Sequence, residues 1–180
     1  MSRVVLLRHA ASSVTSARRG LCSDLRACGV AADTVDDAAI VLSELLSNAL
    51  RHAAPLPEPF PSECVRVSWD VGGAAAAEAR DGWLEVAVCD GGAQTLPRLA
   101  RPSVSALGGR GLGIVENIAA KWGTEVDDRV TTVWAVLEAA VPPGRCVPGT
   151  RERTPGSSGA YGGDGGARVA AAPRQQAASA

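Results

Sequence analysis

A chain of 180 residues, 46% hydrophobic and 21% charged, holds enough apolar material for one globular domain with a core and a further segment. Its formal net charge of −1 offers no global basic field, which argues against direct nucleic-acid binding and against attraction to an anionic membrane. No run approaches the roughly 20 apolar residues of a membrane span, and the N-terminus lacks the apolar stretch of a signal peptide.

The five cysteines, Cys22, Cys28, Cys64, Cys89 and Cys146, are scattered, form no C-x-x-C pair and find no zinc-completing spacing with His9 or His52. They read as small buried hydrophobes in a reducing compartment, and the protein is expected in the cytoplasm.

In chain order, Val4–Leu7 suits a short strand. Ser12 or Ser13 can cap a helix reaching about Cys28, with Gly29 as its left-handed stop. Asp33 or Thr34 can cap a second helix running to His52 or Ala53, with Asp36 and Asp37 at its positive end. The prolines from Pro55 to Pro61 impose a loop. Val65, Val67, Trp69 and Val71 alternate with polar neighbours, as do Leu84, Val86 and Val88, so two strands follow. A long loop spans 91–109, and a helix over about Leu112–Lys121 stops at Gly123. Strands at Thr124–Val126 and Val130–Ala139 close the domain at about residue 142. Residues 143–180, rich in Gly, Ala, Ser, Pro and Arg, cannot bury enough surface to offset their ordering entropy and are expected to form a disordered tail. This order predicts an α/β two-layer sandwich, a mixed β-sheet with its helices on one face.

Three segments carry candidate chemistry. At 100° per residue, Glu44, Asn48 and Arg51 project together from the polar side of the second helix, opposite a face of Val35, Ala38, Leu42, Leu45, Leu46 and Ala49. A solvated polar face explains such a trio by itself. A nucleotide site explains it too: the Asn48 carbonyl oxygen suits Mg²⁺, Glu44 can take a proton from an attacking hydroxyl or water, and Arg51 can pair with a phosphate. Asp90 ends an apolar strand, where a carboxylate can accept from the exocyclic amine of adenine while Gly92 lets backbone lie close to the base. A plain Asp-Gly turn is the rival reading. In GGRGLGIVENI (108–118), glycines lead into a helix, an arrangement that brings backbone N–H groups to phosphates, with Arg110 as a mobile cation. It lacks the Gly-Lys-Ser/Thr of a P-loop and the strand-linked G-x-G-x-x-G of a dinucleotide fold.

Taken in order, SELLSNALRHA (43–53), VCDGG (88–92), GGRGLGIVENIA (108–119) and TTVWAVLE (131–138) resemble the GHKL ATPase superfamily, which includes DNA gyrase B and the histidine kinases. Within it, the chain is most similar to small anti-sigma-factor serine/threonine kinases and stand-alone actinobacterial ATP-binding regulators, over residues 12–140. The resemblance implies a Bergerat-type ATP-binding fold, ATP with Mg²⁺, Glu44 as general base and Asn48 as the Mg²⁺ ligand. It also places Arg51 where a phosphate-contacting lysine often stands, Asp90 and Gly92 in the adenine box, and Gly109, Gly111 and Gly113 in the glycine box of the ATP lid. Thr132 takes the place of a threonine that supports the adenine-binding aspartate. The usual G-K-T before the last strand is Val130-Thr131-Thr132 here.

The function so implied is a serine/threonine kinase that binds a sigma factor and phosphorylates a small antagonist protein. The alternative is a non-catalytic ATP-dependent binding module. Assembly into a homodimer is left open by the sequence.

Overall fold

The computed structural model describes residues 1–73, 82–92, 110–127, 129–140 and 167–170. Its elements run β1 (Ser2–Arg8), α1 (Ser12–Ala27), α2 (Ala32–His52), β2 (Cys64–Gly73), β3 (Gly82–Asp90), α3 (Arg110–Ile118), β4 (Lys121–Asp127), β5 (Val130–Ala139) and β6 (Ala167–Ala170). The sheet order is β1-β2-β3-β5-β4-β6. Every pairing among these strands is antiparallel, so the expected α/β two-layer sandwich is present but its sheet is not mixed.

The alternation read in the sequence decides which face carries the helices. Val65, Val67 and Trp69 of β2, Leu84, Val86 and Val88 of β3, and Ala135 and Leu137 of β5 form one buried face. Leu21 and Leu25 of α1, Leu42, Leu45 and Leu46 of α2, and Val115 of α3 close over it in a single core cluster. Trp69 is 2% exposed, and its indole N–H would be costly to bury alone; Asp24 of α1 accepts from it at 3.0 Å and also pairs with Arg3 at 2.9 Å.

Several boundaries differ from those read in the sequence. α1 has no side-chain N-cap, because the Ser13 hydroxyl instead donates to the Arg8 carbonyl at 2.6 Å. α2 begins at Ala32, ahead of Asp33, again without a side-chain cap. α3 starts at Arg110 and ends at Ile118; β4 already begins at Lys121, since burying Trp122 against the core places that stretch in the sheet. Gly29 does adopt the left-handed conformation after α1, at φ 75°.

Of the segment 143–180, Ala167–Ala170 forms β6 on β4, and the rest of the expected disordered tail lies outside the described residues. An edge strand such as β4 offers unpaired N–H and C=O groups that a short stretch can satisfy without a core of its own. Cys22, Cys64 and Cys89 are free thiols, and burial pushes the Cys64 thiol up. Cys28 is disulfide-bonded, against the expectation of five reduced cysteines: spacing along a chain does not disclose pairings made through the fold. No helix among the described residues is long and apolar enough to cross a membrane.

Candidate functional site

α2 presents two faces because its apolar residues recur at helical spacing. Val35, Ala38, Val41, Leu42, Leu45, Leu46 and Ala49 are buried, while Glu44 and Asn48, one turn apart, are only half-buried. The first turn of α3 lies directly over them. A Cβ built on Gly111 would stand 2.5 Å from Glu44 Oε2, 3.4 Å from Asn48 Nδ2 and 3.6 Å from Asn48 Oδ1. The glycine-rich segment and the Glu44–Asn48 pair, 63 positions apart between Asn48 and Gly111, therefore share one place. A side chain at Gly111 would enter the space these two polar groups use and would push the Glu44 carboxylate aside.

Gly113 has no protein atom within 4 Å of its built Cβ. Arg51 is exposed in the last turn of α2 and makes no ion pair among the described residues. Arg110 is the first residue of α3; its side chain, and Gly109, lie outside the described residues.

The second half of the site is the end of β3. Asp90 is buried, at 4% exposure, and its Oδ1 accepts the Gly92 N–H at 2.8 Å. That bond folds the Asp-Gly-Gly corner, with Gly92 at φ 79°. The corner is tied to the exit of α2 by two backbone bonds, Gly91 N–H to the Ala54 carbonyl and Ala54 N–H to the Gly92 carbonyl. These bonds bring the Glu44–Asn48 helix and the Asp90 strand to one end of the sheet. Gly91 leaves no room for substitution: a Cβ there would run into the Pro55 carbonyl, which is backbone and cannot turn aside. Gly91→Ala is expected to lower stability by about 2–4 kcal/mol, read as a fall in the urea midpoint. An unchanged midpoint would show that the corner tolerates a side chain.

Desolvation pushes the Asp90 carboxyl from its ordinary 3.8 up to about 6, against smaller lowering effects of the Gly92 hydrogen bond and the charge of His9. A carboxylate held dry and close to neutrality makes a strong acceptor for a donor that arrives with a ligand.

The threonine expected to support Asp90 was Thr132, and the register corrects this. Thr132 lies opposite Cys89, on the other face of the sheet, whereas Thr131 lies opposite Asp90. Thr131 is buried, and its Oγ1 would stand 3.5 Å from a Cβ on Gly92. Side chains alternate across a strand, so a shift of one residue exchanges the faces. The sequence also offered no sign of His9, whose Nε2 is buried and has no hydrogen-bond partner among the described residues.

The donor set suits Mg²⁺ rather than a metal bound entirely by protein. Among the described residues there is no group of three or more His, Cys, Asp or Glu side chains able to hold an ion. Asn48 offers one neutral oxygen, and Mg²⁺ commonly completes its shell with phosphate oxygens and water.

Among curated proteins, none matches this chain. The family model described as the histidine kinase-like ATPase domain matches residues 7–137, a span that contains Glu44, Asn48, Asp90, Gly111 and Thr131. Both halves of the site thus lie within the matched region, in a fold consistent with the Bergerat type, and membership implies ATP binding. By the extent of that match, the chain belongs to the histidine kinase-like ATPase domain family, within the GHKL superfamily.

Proposed function

We propose that this protein is an anti-sigma-type serine/threonine kinase, which binds ATP with Mg²⁺ and transfers the γ-phosphoryl group to a hydroxyl of a small antagonist protein. One observation carries the reading: Glu44 and Asn48, on consecutive turns, both face the glycine at the start of α3. A helix start directs N–H groups toward an anion, so phosphates entering there meet those donors on one side and the two polar side chains on the other. Mg²⁺ bound at Asn48 would offset phosphate charge. Glu44 takes the proton of the acceptor hydroxyl; its oxygen attacks the γ-phosphorus, the bond to the β–γ bridging oxygen breaks, and ADP leaves. Asp90 accepts from the adenine amine, with Thr131 beside it. Arg51, Arg110 and Gly109 are proposed phosphate contacts. The sigma factor and antagonist follow from the resemblance in sequence and are proposed with it.

The test has two stages. ADP and ATP, with and without Mg²⁺, should raise the melting temperature of the full chain; no shift with either nucleotide removes the ATP reading. Labelled ATP with a purified antagonist protein should then yield a phosphoserine or phosphothreonine on the antagonist. If nucleotide binds but no label moves to any authentic partner, the non-catalytic, ATP-gated module replaces the kinase. Asn48→Ala is expected to lose the Mg²⁺-dependent part of ATP affinity, about 1.5–3 kcal/mol or roughly 10–150-fold. Calorimetric titrations at two Mg²⁺ concentrations measure it, and an unaltered Mg²⁺ dependence would refute the ligand assignment.

A further inference from the structure

We propose that the exposed seam between α2 and α3, built by Ile40 and Ile114, is the docking face for the acceptor protein, and that it selects a segment carrying an apolar side chain flanked by arginine or lysine. This deepens the kinase reading given above and rests on it. The two helices run antiparallel. α2 leaves at Ala54 beside Gly91 and Gly92, at the Asp90 end of the sheet. α3 begins over Glu44 and Asn48, and its far end leads through Ala120, whose N–H donates to the Val136 carbonyl, into β4. In β5, Thr131 lies opposite Asp90 while Val136 lies opposite Glu85, so α3 runs away from the Asp90 end and back along α2 toward the start of that helix.

That direction brings two exposed side chains onto neighbouring turns. Ile114 stands one turn after Gly111, and Ile40 one turn before Glu44, about 6 Å along the axis. They are 44% and 37% exposed, Ile40 and Ile114 respectively, whereas Val41 and Val115, the next residue in each helix, are fully buried and close the seam beneath them. The other large hydrophobic side chains exposed among the described residues are Val4 and Leu6 on β1 and Trp83 on β3. Of the five, it is the isoleucine pair that adjoins Glu44.

The chemistry of transfer says what occupies this seam. Displacement at the γ-phosphorus is in line, so the acceptor hydroxyl enters from the side opposite the departing ADP. With adenine at Asp90, by the exit of α2, ADP lies toward Asn48 and Arg51, and the side of Glu44 toward Ile40 is left for the acceptor. The surface on that side is acidic: Asp36 and Asp37 lie one turn before Ile40 and Asp33 one turn further back, all exposed and without an ion pair among the described residues. The helix dipole accounts for Asp33 in the first turn, but it fades beyond that turn, where Asp36 and Asp37 stand. An apolar centre beside a charged rim fits an apolar anchor set among cations, and the complementary charges select it over an acidic segment.

The test uses the full chain with Mg²⁺ and ADP, and short fluorescein-labelled serine peptides read by anisotropy. One peptide carries leucine and arginine around the serine, a second has glutamate for arginine, and a third has serine for leucine. The wild type is expected to bind the first roughly 10-fold or more tighter than the other two. Ile40→Gln combined with Ile114→Gln should abolish the preference for leucine, and Asp36→Asn combined with Asp37→Asn the preference for arginine. Both variants should keep the wild-type rise in melting temperature with ADP, since neither touches the nucleotide. Equal affinity for the three peptides, wild-type preferences in the variants, or a lost ADP shift overturns the proposal. If the isoleucine pair cannot be replaced together without unfolding, Ile40→Gln alone is held to the same expectations. If the wild type transfers no phosphoryl group to any acceptor, the kinase reading falls, while the peptide preferences still decide whether this face docks a basic, apolar segment.

Discussion

Asp90→Asn is expected to cut ATP and ADP affinity by roughly 100-fold while making the protein more stable at neutral pH. Both effects have one cause. Asp90 is 4% exposed, and its carboxyl is pushed from 3.8 to about 6 by desolvation. Each unit corresponds to about 1.4 kcal/mol, so ionising Asp90 inside the fold costs about 3 kcal/mol relative to the unfolded chain. Asparagine keeps an oxygen for the Gly92 N–H and carries no charge. Its amide N–H₂ then needs partners of its own, which reduces the net gain to about 1–2 kcal/mol. The same N–H₂ now meets the purine amine donor to donor, which is why binding is lost.

The pH dependence has a definite sign. A carboxyl whose native value lies above its unfolded value holds more protons in the native state between about pH 4 and 6. Stability therefore falls as pH rises through that window and stays lower above it. Urea unfolding at pH 4, 5, 6 and 7 should show this fall in the wild type and a flatter profile in Asp90→Asn. Equal slopes, or wild-type ADP affinity in the variant, would remove Asp90 from the site.

The second expected result separates geometry from stability. Gly111→Ala should leave unfolding within about 1 kcal/mol of wild type yet lower phosphotransfer by roughly 10–100-fold. Its new Cβ would lie 2.5 Å from Glu44 Oε2, and that oxygen is the far end of a flexible side chain. Glu44 can swing away at little cost to the fold, but a displaced general base no longer meets the acceptor hydroxyl. Gly111 is not in the left-handed region, so alanine brings no backbone strain there. Gly113→Ala, whose new Cβ would meet no protein atom within 4 Å, leaves Glu44 where it stands and is the steric control for that contact. Glu44→Gln should bind ATP and transfer nothing. A fully active Gly111→Ala would mean that Glu44 need not stay where it is, and would remove the kinase role proposed for it.

These variants touch residues of very different legibility. The Glu44–Asn48 face could be read from the helical period alone, because an amphipathic helix must turn its apolar side inward whatever it packs against. Asp90 and Gly92 could be placed at a strand end by the alternation that precedes them. Thr131 could not be chosen over Thr132: both sit in one strand, and only the pairing of that strand with β3 says which of them shares the Asp90 face. The Gly91 constraint was equally hidden, because Pro55 approaches it only once α2 has docked.

The sequence by itself determined the α/β layers, the apolar face of each long element and the order of three polar segments. These follow from local periodicity, which is a property of neighbours along the chain. The tertiary structure alone decided that the sheet is antiparallel throughout, that the segment after residue 142 adds a strand to the β4 edge, and that Cys28 is bonded. It also decided that Gly111 sits over Glu44 and Asn48 while Thr131 lies opposite Asp90. Those are contacts between residues distant in sequence, fixed by strand register and helix docking, and no window along the chain contains both partners.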